Sequence, residues 1–129
     1  MPHYVIHLNK WVTHWAKKEN IPDSDLYRTA VEVVAGKVEA DLGGYLFKKR
    51  VAREGGGKRT GYRILLGYKK PNVERIIFLY AFAKNARPTI SDKEKEALRL
   101  VAESFISSTN EQIILLIEKG TVTEIQNYD

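Results

Sequence analysis

Lys48 and Arg50 stand two apart in a run that alternates like a β-strand, and Arg63 lies in the next such run. Side chains two apart on a strand share a face, and an antiparallel neighbour sets its own side chains beside them. These three cations can therefore meet on one sheet face. There they would grip a phosphate and stabilise charge developing on it during cleavage. Lys84, Asn85 and Arg87 follow the next apolar run, while Arg53, Lys58 and Arg59 flank or occupy a glycine-rich loop that could reach along a nucleic-acid backbone. Between Leu46 and Arg87 there are 12 Lys/Arg and 2 Asp/Glu, a local charge of +10. Residues 1–45 carry −1 and residues 88–129 carry −4, so the net charge of +5 hides a concentrated basic centre. Such a centre points to a polyanion, most simply RNA. Lysines guarding an edge strand would explain one or two of these charges. They explain less well the seven basic residues and one acid between Leu46 and Arg63.

Other chemistry-bearing residues say less. Gly55-Gly56-Gly57-Lys58-Arg59-Thr60 resembles a phosphate loop only superficially, because Ala52 and Arg59 break the required spacing. Lys49, on the face of Phe47 and Val51, is expected to snorkel with its ammonium in water. Lys84, Asn85 and Arg87 read equally well as a functional strand end or a solvated loop. His3 and His7 are four apart, but no third ligand accompanies them, and all three histidines read as surface groups. No metal site, cofactor or Ser-His-Asp arrangement is expected.

The elements that position these groups follow from periodicity. Tyr4 to Ile6 could form a short leading strand. Leu8, Trp11, Val12, Trp15 and Ala16 make one helical stripe. Asn20-Ile21-Pro22-Asp23 breaks that helix, and Asp23 or Ser24 is expected to cap the next, which ends at Gly36. A helical hairpin is expected here. Gly43-Gly44 marks a turn, after which strands over 46–53, 61–68 and 76–83 form an antiparallel meander. Capping boxes at Ser91/Glu94 and Thr109/Gln112 open two further helices. The first should bury Ala97, Leu98, Val101, Ala102 and Phe105, and the second Ile113, Ile114, Leu116 and Ile117. The pattern predicts an α+β fold, an N-terminal helical hairpin on a small antiparallel sheet with additional C-terminal helices.

The 129 residues suit a single domain with a core over about 8–106 and a last helix over 109–119. There is no cysteine, and no apolar run approaches the roughly 20 residues that span a bilayer. The start, Met1-Pro2-His3-Tyr4, lacks the features of a secretory signal. A cytoplasmic protein without a membrane partner is expected.

Leu46-Phe47-Lys48-Lys49-Arg50-Val51, Gly61-Tyr62-Arg63 and Phe82-Ala83-Lys84-Asn85-Ala86-Arg87 together resemble the RelE/ParE superfamily of type II toxins, particularly its RelE-like or HigB-like members. The resemblance covers roughly residues 11–106. It implies a helical hairpin against an antiparallel sheet with a concave basic site. It also implies a cognate antitoxin protein and, for RelE-like members, ribosome-dependent cleavage of mRNA. By position, Lys48 and Arg50 match the basic strand pair at the scissile phosphate, Arg63 the phosphate-stabilising arginine, and Lys84 and Arg87 the basic turn after the last strand. Asn85 stands where the RelE pattern has a second arginine, Ser91 where it has a tyrosine, and residues 46–129 contain no histidine.

The chemistry so implied is metal-independent attack of a 2′-hydroxyl on the adjacent phosphate. Lys48, crowded by cations, is the expected proton acceptor, assisted by Tyr62 or Tyr80 according to which faces the site. The ribosome would supply positioning. A gyrase-inhibiting toxin on the same scaffold, or a non-toxic RNA-binding domain, are the alternatives.

Overall fold

The computed structural model describes residues 5–51, 61–69, 75–83, 86 and 89–125. In chain order the elements are β1 (Val5–Asn9), α1 (Lys10–Lys18), α2 (Asp23–Val34), β2 (Ala40–Gly43), β3 (Leu46–Val51), β4 (Tyr62–Gly67), β5 (Arg75–Ala83), α3 (Asp92–Ile106), α4 (Asn110–Glu118) and β6 (Val122–Ile125). The fold is α+β, and its meander β3-β4-β5 is antiparallel as the alternation predicts. The sheet is larger than three strands. Six strands run in the order β2-β3-β4-β5-β1-β6, with β1 parallel to β5 and β6 antiparallel to β1.

Two apolar clusters, one on each face, hold the layers together. On one face Leu26, Ala30 and Val33 of α2 pack with Phe47, Ile64 and Phe78. On the other, Ala102 and Phe105 of α3 and Ile113 of α4 pack with Leu46, Leu65 and Ile77. Central strands are buried on both sides, which explains why 76–83 is apolar on both faces. At Gly67 a Cβ would lie 3.0 Å from the Ala102 Cβ, so glycine is what lets α3 approach β4 so closely. The turn between β2 and β3 places Gly43, Gly44 and Tyr45 at positive φ, a geometry that glycine adopts without steric cost.

Leu8 belongs to β1 rather than to a helix, and the Asn9 side chain caps α1 through the Val12 amide. Because β1 ends at Asn9, level with Leu79, the stretch from Tyr80 to Ala83 of β5 extends past it. Helix α1 packs beside that extension. Trp11 lies 4.4 Å from Tyr80 between ring centroids, and Trp15 meets Tyr62 edge-on at 5.1 Å.

Helix α2 begins after Pro22 without a side-chain cap, so neither Asp23 nor Ser24 takes the expected capping role; both lie inside the helix. The two capping boxes form as read. The Ser91 Oγ accepts from Glu94 N at 3.1 Å, and Thr109 Oγ1 accepts from Gln112 N at 3.1 Å, each contributing about 1 kcal/mol. The expected burial along α3 and α4 is only partial. Ala97, Val101 and Ile114 are exposed, alongside Leu100 and Leu115. Among the described residues no helix is long and apolar enough to cross a membrane.

Candidate active site

Register places Arg50 of β3 directly opposite Arg63 of β4, and Arg63 opposite Phe82 of β5. Lys48, two residues before Arg50, shares their face. The three cations therefore converge on the face that also carries α3 and α4. Strand β3 is no edge, because β2 pairs with it through Ala40 and Lys48. Edge protection thus does not explain these charges.

What holds them together is Glu39, which the sequence reading missed. Its backbone N–H donates to the Lys48 carbonyl at 2.8 Å, so Glu39 and Ala40 both stand against Lys48 and the Glu39 carboxylate lies on the side of the cations. The Glu39 Oε1 lies 3.2 Å from Lys48 Nζ. Its Oε2 lies 3.2 Å from Arg63 Nε and accepts from Arg50 Nε. Arg63 is nearly buried at 4% exposure, and its Nη1 also reaches the Tyr62 carbonyl at 3.4 Å. Burial by itself pushes the Glu39 carboxyl up. Hydrogen bonds from Arg50 and Lys48, with the charges of Lys48 and Arg63, outweigh burial and hold it below the usual carboxylate range. The cluster is three cations around one carboxylate, so the expectation of Lys48 surrounded by cations alone is corrected.

Both faces of β3 are now assigned. Lys49 does not snorkel. Its side chain is 7% exposed and its Nζ pairs with Glu32 Oε1 of α2 at 2.9 Å, because α2 covers that face and supplies a carboxylate within reach. Tyr62 lies on that opposite face as well, donating its hydroxyl to Glu19 Oε1 at 2.8 Å. Tyr80, paired with Leu65, stands on the cationic face. Arg75, one of the basic residues of the centre, is structural, with Nη1 donating to the Ser108 carbonyl at 2.6 Å and Nη2 to Asn110 Oδ1 at 2.9 Å.

Arg53, Lys58, Arg59, Lys84, Asn85 and Arg87 lie outside the described residues. So does His3, whereas His7 corrects the surface reading of the histidines. It is buried in β1, edge-on to Phe105 at 5.3 Å. Burial lowers its pKa, with Arg75 adding to that effect and Glu124 opposing it. Its neighbours Val5, Ile6 and Leu8 are apolar, and that setting is the signal for a core position. Among the described residues no group of three His, Cys, Asp or Glu could hold a metal ion.

Chemically, the arrangement offers two guanidinium groups and an ammonium on one face, with a carboxylate in contact with all three. A phosphodiester carries the charge that would replace that carboxylate on the arginines. Among known proteins, the family described as the RelE toxin of the RelE/RelB toxin-antitoxin system matches residues 4–125. No curated protein matches the chain.

Proposed function

From this chain's place in the RelE toxin family, to which it belongs, we propose that it is a ribosome-dependent mRNA endoribonuclease of RelE-like or HigB-like type. As a family member it is the toxin of a toxin-antitoxin pair, and in this reading it acts on translated mRNA in the cytoplasm until its antitoxin covers the basic face. The convergence of Lys48, Arg50 and Arg63 on Glu39 is the observation that carries the reading. Three cations suited to a phosphate and a carboxylate able to take a proton meet there, which supports this reading.

The 2′-oxygen attacks the adjacent phosphorus while the bond to the 5′-oxygen breaks, leaving a 2′,3′-cyclic phosphate and a 5′-hydroxyl. Arg50 and Arg63 neutralise the phosphate oxygens as negative charge grows on them. The incoming phosphate takes over the arginines, which frees the Glu39 carboxylate from the partners that depress its basicity. Glu39 then accepts the 2′-hydroxyl proton, and the Lys48 ammonium protonates the departing oxygen. This revises the role expected for Lys48, since an ammonium 3.2 Å from a carboxylate is placed to donate rather than accept. Lys84 and Arg87, with Arg53, Lys58, Arg59 and Asn85, are proposed to follow the RNA backbone on either side.

The test is a map of mRNA 5′ ends after brief induction in a bacterial host, beside a variant with Lys48, Arg50 and Arg63 all replaced by alanine. New ends inside translated codons, absent from the variant, are the expected result. Growth arrest with mRNA intact would instead favour a gyrase-type target.

A further inference from the structure

Helix α1 carries an exposed surface that the cleavage chemistry does not use. Trp11 is 43% exposed, an unusual position for an indole in a helix whose sequence offers a buried face to fill. It stacks with Trp15 at 6.5 Å between centroids, with ring planes 13° apart. Together with Lys10, His14 and Lys18 the two indoles line an open hollow of about 550 Å³, a size in the range of ligand sites. From Lys10 to Lys18 the helix has three lysines and no acidic residue.

The hollow is joined to the cationic face through packed rings. Trp11 packs on Tyr80, and Tyr80 lies 6.1 Å from Phe82 between ring centroids. Phe82 is cross-strand partner to Arg63, and Arg63 to Arg50. Strands β3 and β5 are two strand spacings apart, about 10 Å. A chain of packed rings therefore joins the cations held by Glu39 to the indoles, and the indoles lie beyond β5, further along any strand that crosses the cations. Aromatic side chains interleaved with lysines are how proteins hold single strands, the rings stacking on bases and the ammonium groups following the backbone.

We propose that Trp11 and Trp15, flanked by Lys10 and Lys18, stack an unpaired RNA base beyond the phosphate held by Arg50 and Arg63. The inference rests on the nuclease reading for the position of the strand. The base belongs either to the mRNA or to the ribosomal RNA beside it. Stacked indoles set among lysines favour RNA, and protein docking is left as an outcome of the test.

These are the only two tryptophans in the chain, so its tryptophan fluorescence, excited apart from the tyrosines, reads this hollow. The probes are a short single-stranded 2′-O-methyl RNA, which lacks the nucleophile and stays uncut, its abasic counterpart, and vacant ribosomes. Saturable quenching by the oligonucleotide but not by the abasic strand is expected, and places an mRNA base on the indoles. Quenching by vacant ribosomes alone assigns the base to ribosomal RNA. Trp11→Ala should weaken binding of the quenching RNA about tenfold or more, and Trp11→Phe should restore most of it. Circular dichroism of both variants checks that the fold is kept. Absence of quenching by either RNA, or equal affinity of Trp11→Ala and the native chain, overturns the inference. Quenching by the antitoxin alone also overturns it and makes the hollow a protein-docking surface. If the native chain still cuts mRNA in those cases, only this inference falls; if it cuts none, the nuclease reading falls as well.

Discussion

Arg63→Ala is expected to slow mRNA cleavage on programmed ribosomes by about 10²–10³-fold, the usual effect of removing one preorganised donor from a developing anion. Arg63 sits on the central strand β4, buried, with its guanidinium between Glu39 and the Tyr62 carbonyl. Nothing else in the cluster is so firmly placed. Lys48 and Arg50 remain on Glu39 after the substitution, so the carboxylate keeps partners and the fold should survive. Arg63→Lys keeps the charge but loses the planar fork, and should recover only part of the rate. Single-turnover cleavage, with thermal unfolding as the control, measures both. A rate within a few-fold of native for Arg63→Ala would remove this residue from the chemistry.

The second large effect is expected at Glu39, where stability, binding and catalysis should separate. Glu39→Gln keeps the shape but leaves three cations without their shared carboxylate. Removing one partner of a buried pair costs about 3–5 kcal/mol. Because Arg50 is half exposed and water screens it, a loss of about 2–4 kcal/mol is expected in denaturant unfolding.

The pH dependence has a definite sign. The folded carboxyl lies below its unfolded value near 4.5. Its contribution is therefore complete above that value and is lost as pH falls through the folded pKa. The glutamine variant should show a flatter acid limb. Without the competing carboxylate it should also bind uncleavable RNA more tightly, while cleaving at least 10²-fold more slowly, the scale of a lost general base. Tighter binding with an unchanged rate would mean that Glu39 only occupies the phosphate site. Weaker binding would mean that it positions the arginines.

Much of this arrangement is written in the local sequence. Alternation in 46–51 and 62–67 places Lys48, Arg50 and Arg63 on one face, because the period of a strand is fixed by backbone geometry. Capping boxes at Ser91 and Thr109 announce their helices because the partners lie within one turn. Glu39 is different. It sits before a four-residue strand containing Asp41 and Gly43, residues with poor strand propensity, and its role depends on a neighbour nine positions on. Lys49 illustrates the same limit. Its alternation predicts an inward position correctly, but only tertiary packing brings Glu32 to meet it. β1 and β6 are short, and β6 exposes Thr123 and Glu124 in succession, so no period of two is visible there. They form because β1 pairs along β5 and β6 in turn pairs along β1.

The central claim is that RNA is cut by its own 2′-oxygen on the face held by Glu39. The most direct measurement compares two mRNAs on ribosomes stalled with the same codon in place, one all-ribose and one lacking the 2′-hydroxyl at the scissile nucleotide. The all-ribose strand should be cut to a 2′,3′-cyclic phosphate and a 5′-hydroxyl end, and the deoxy strand should remain whole. Cutting of both strands, or of neither under conditions where the protein arrests growth, would contradict the account.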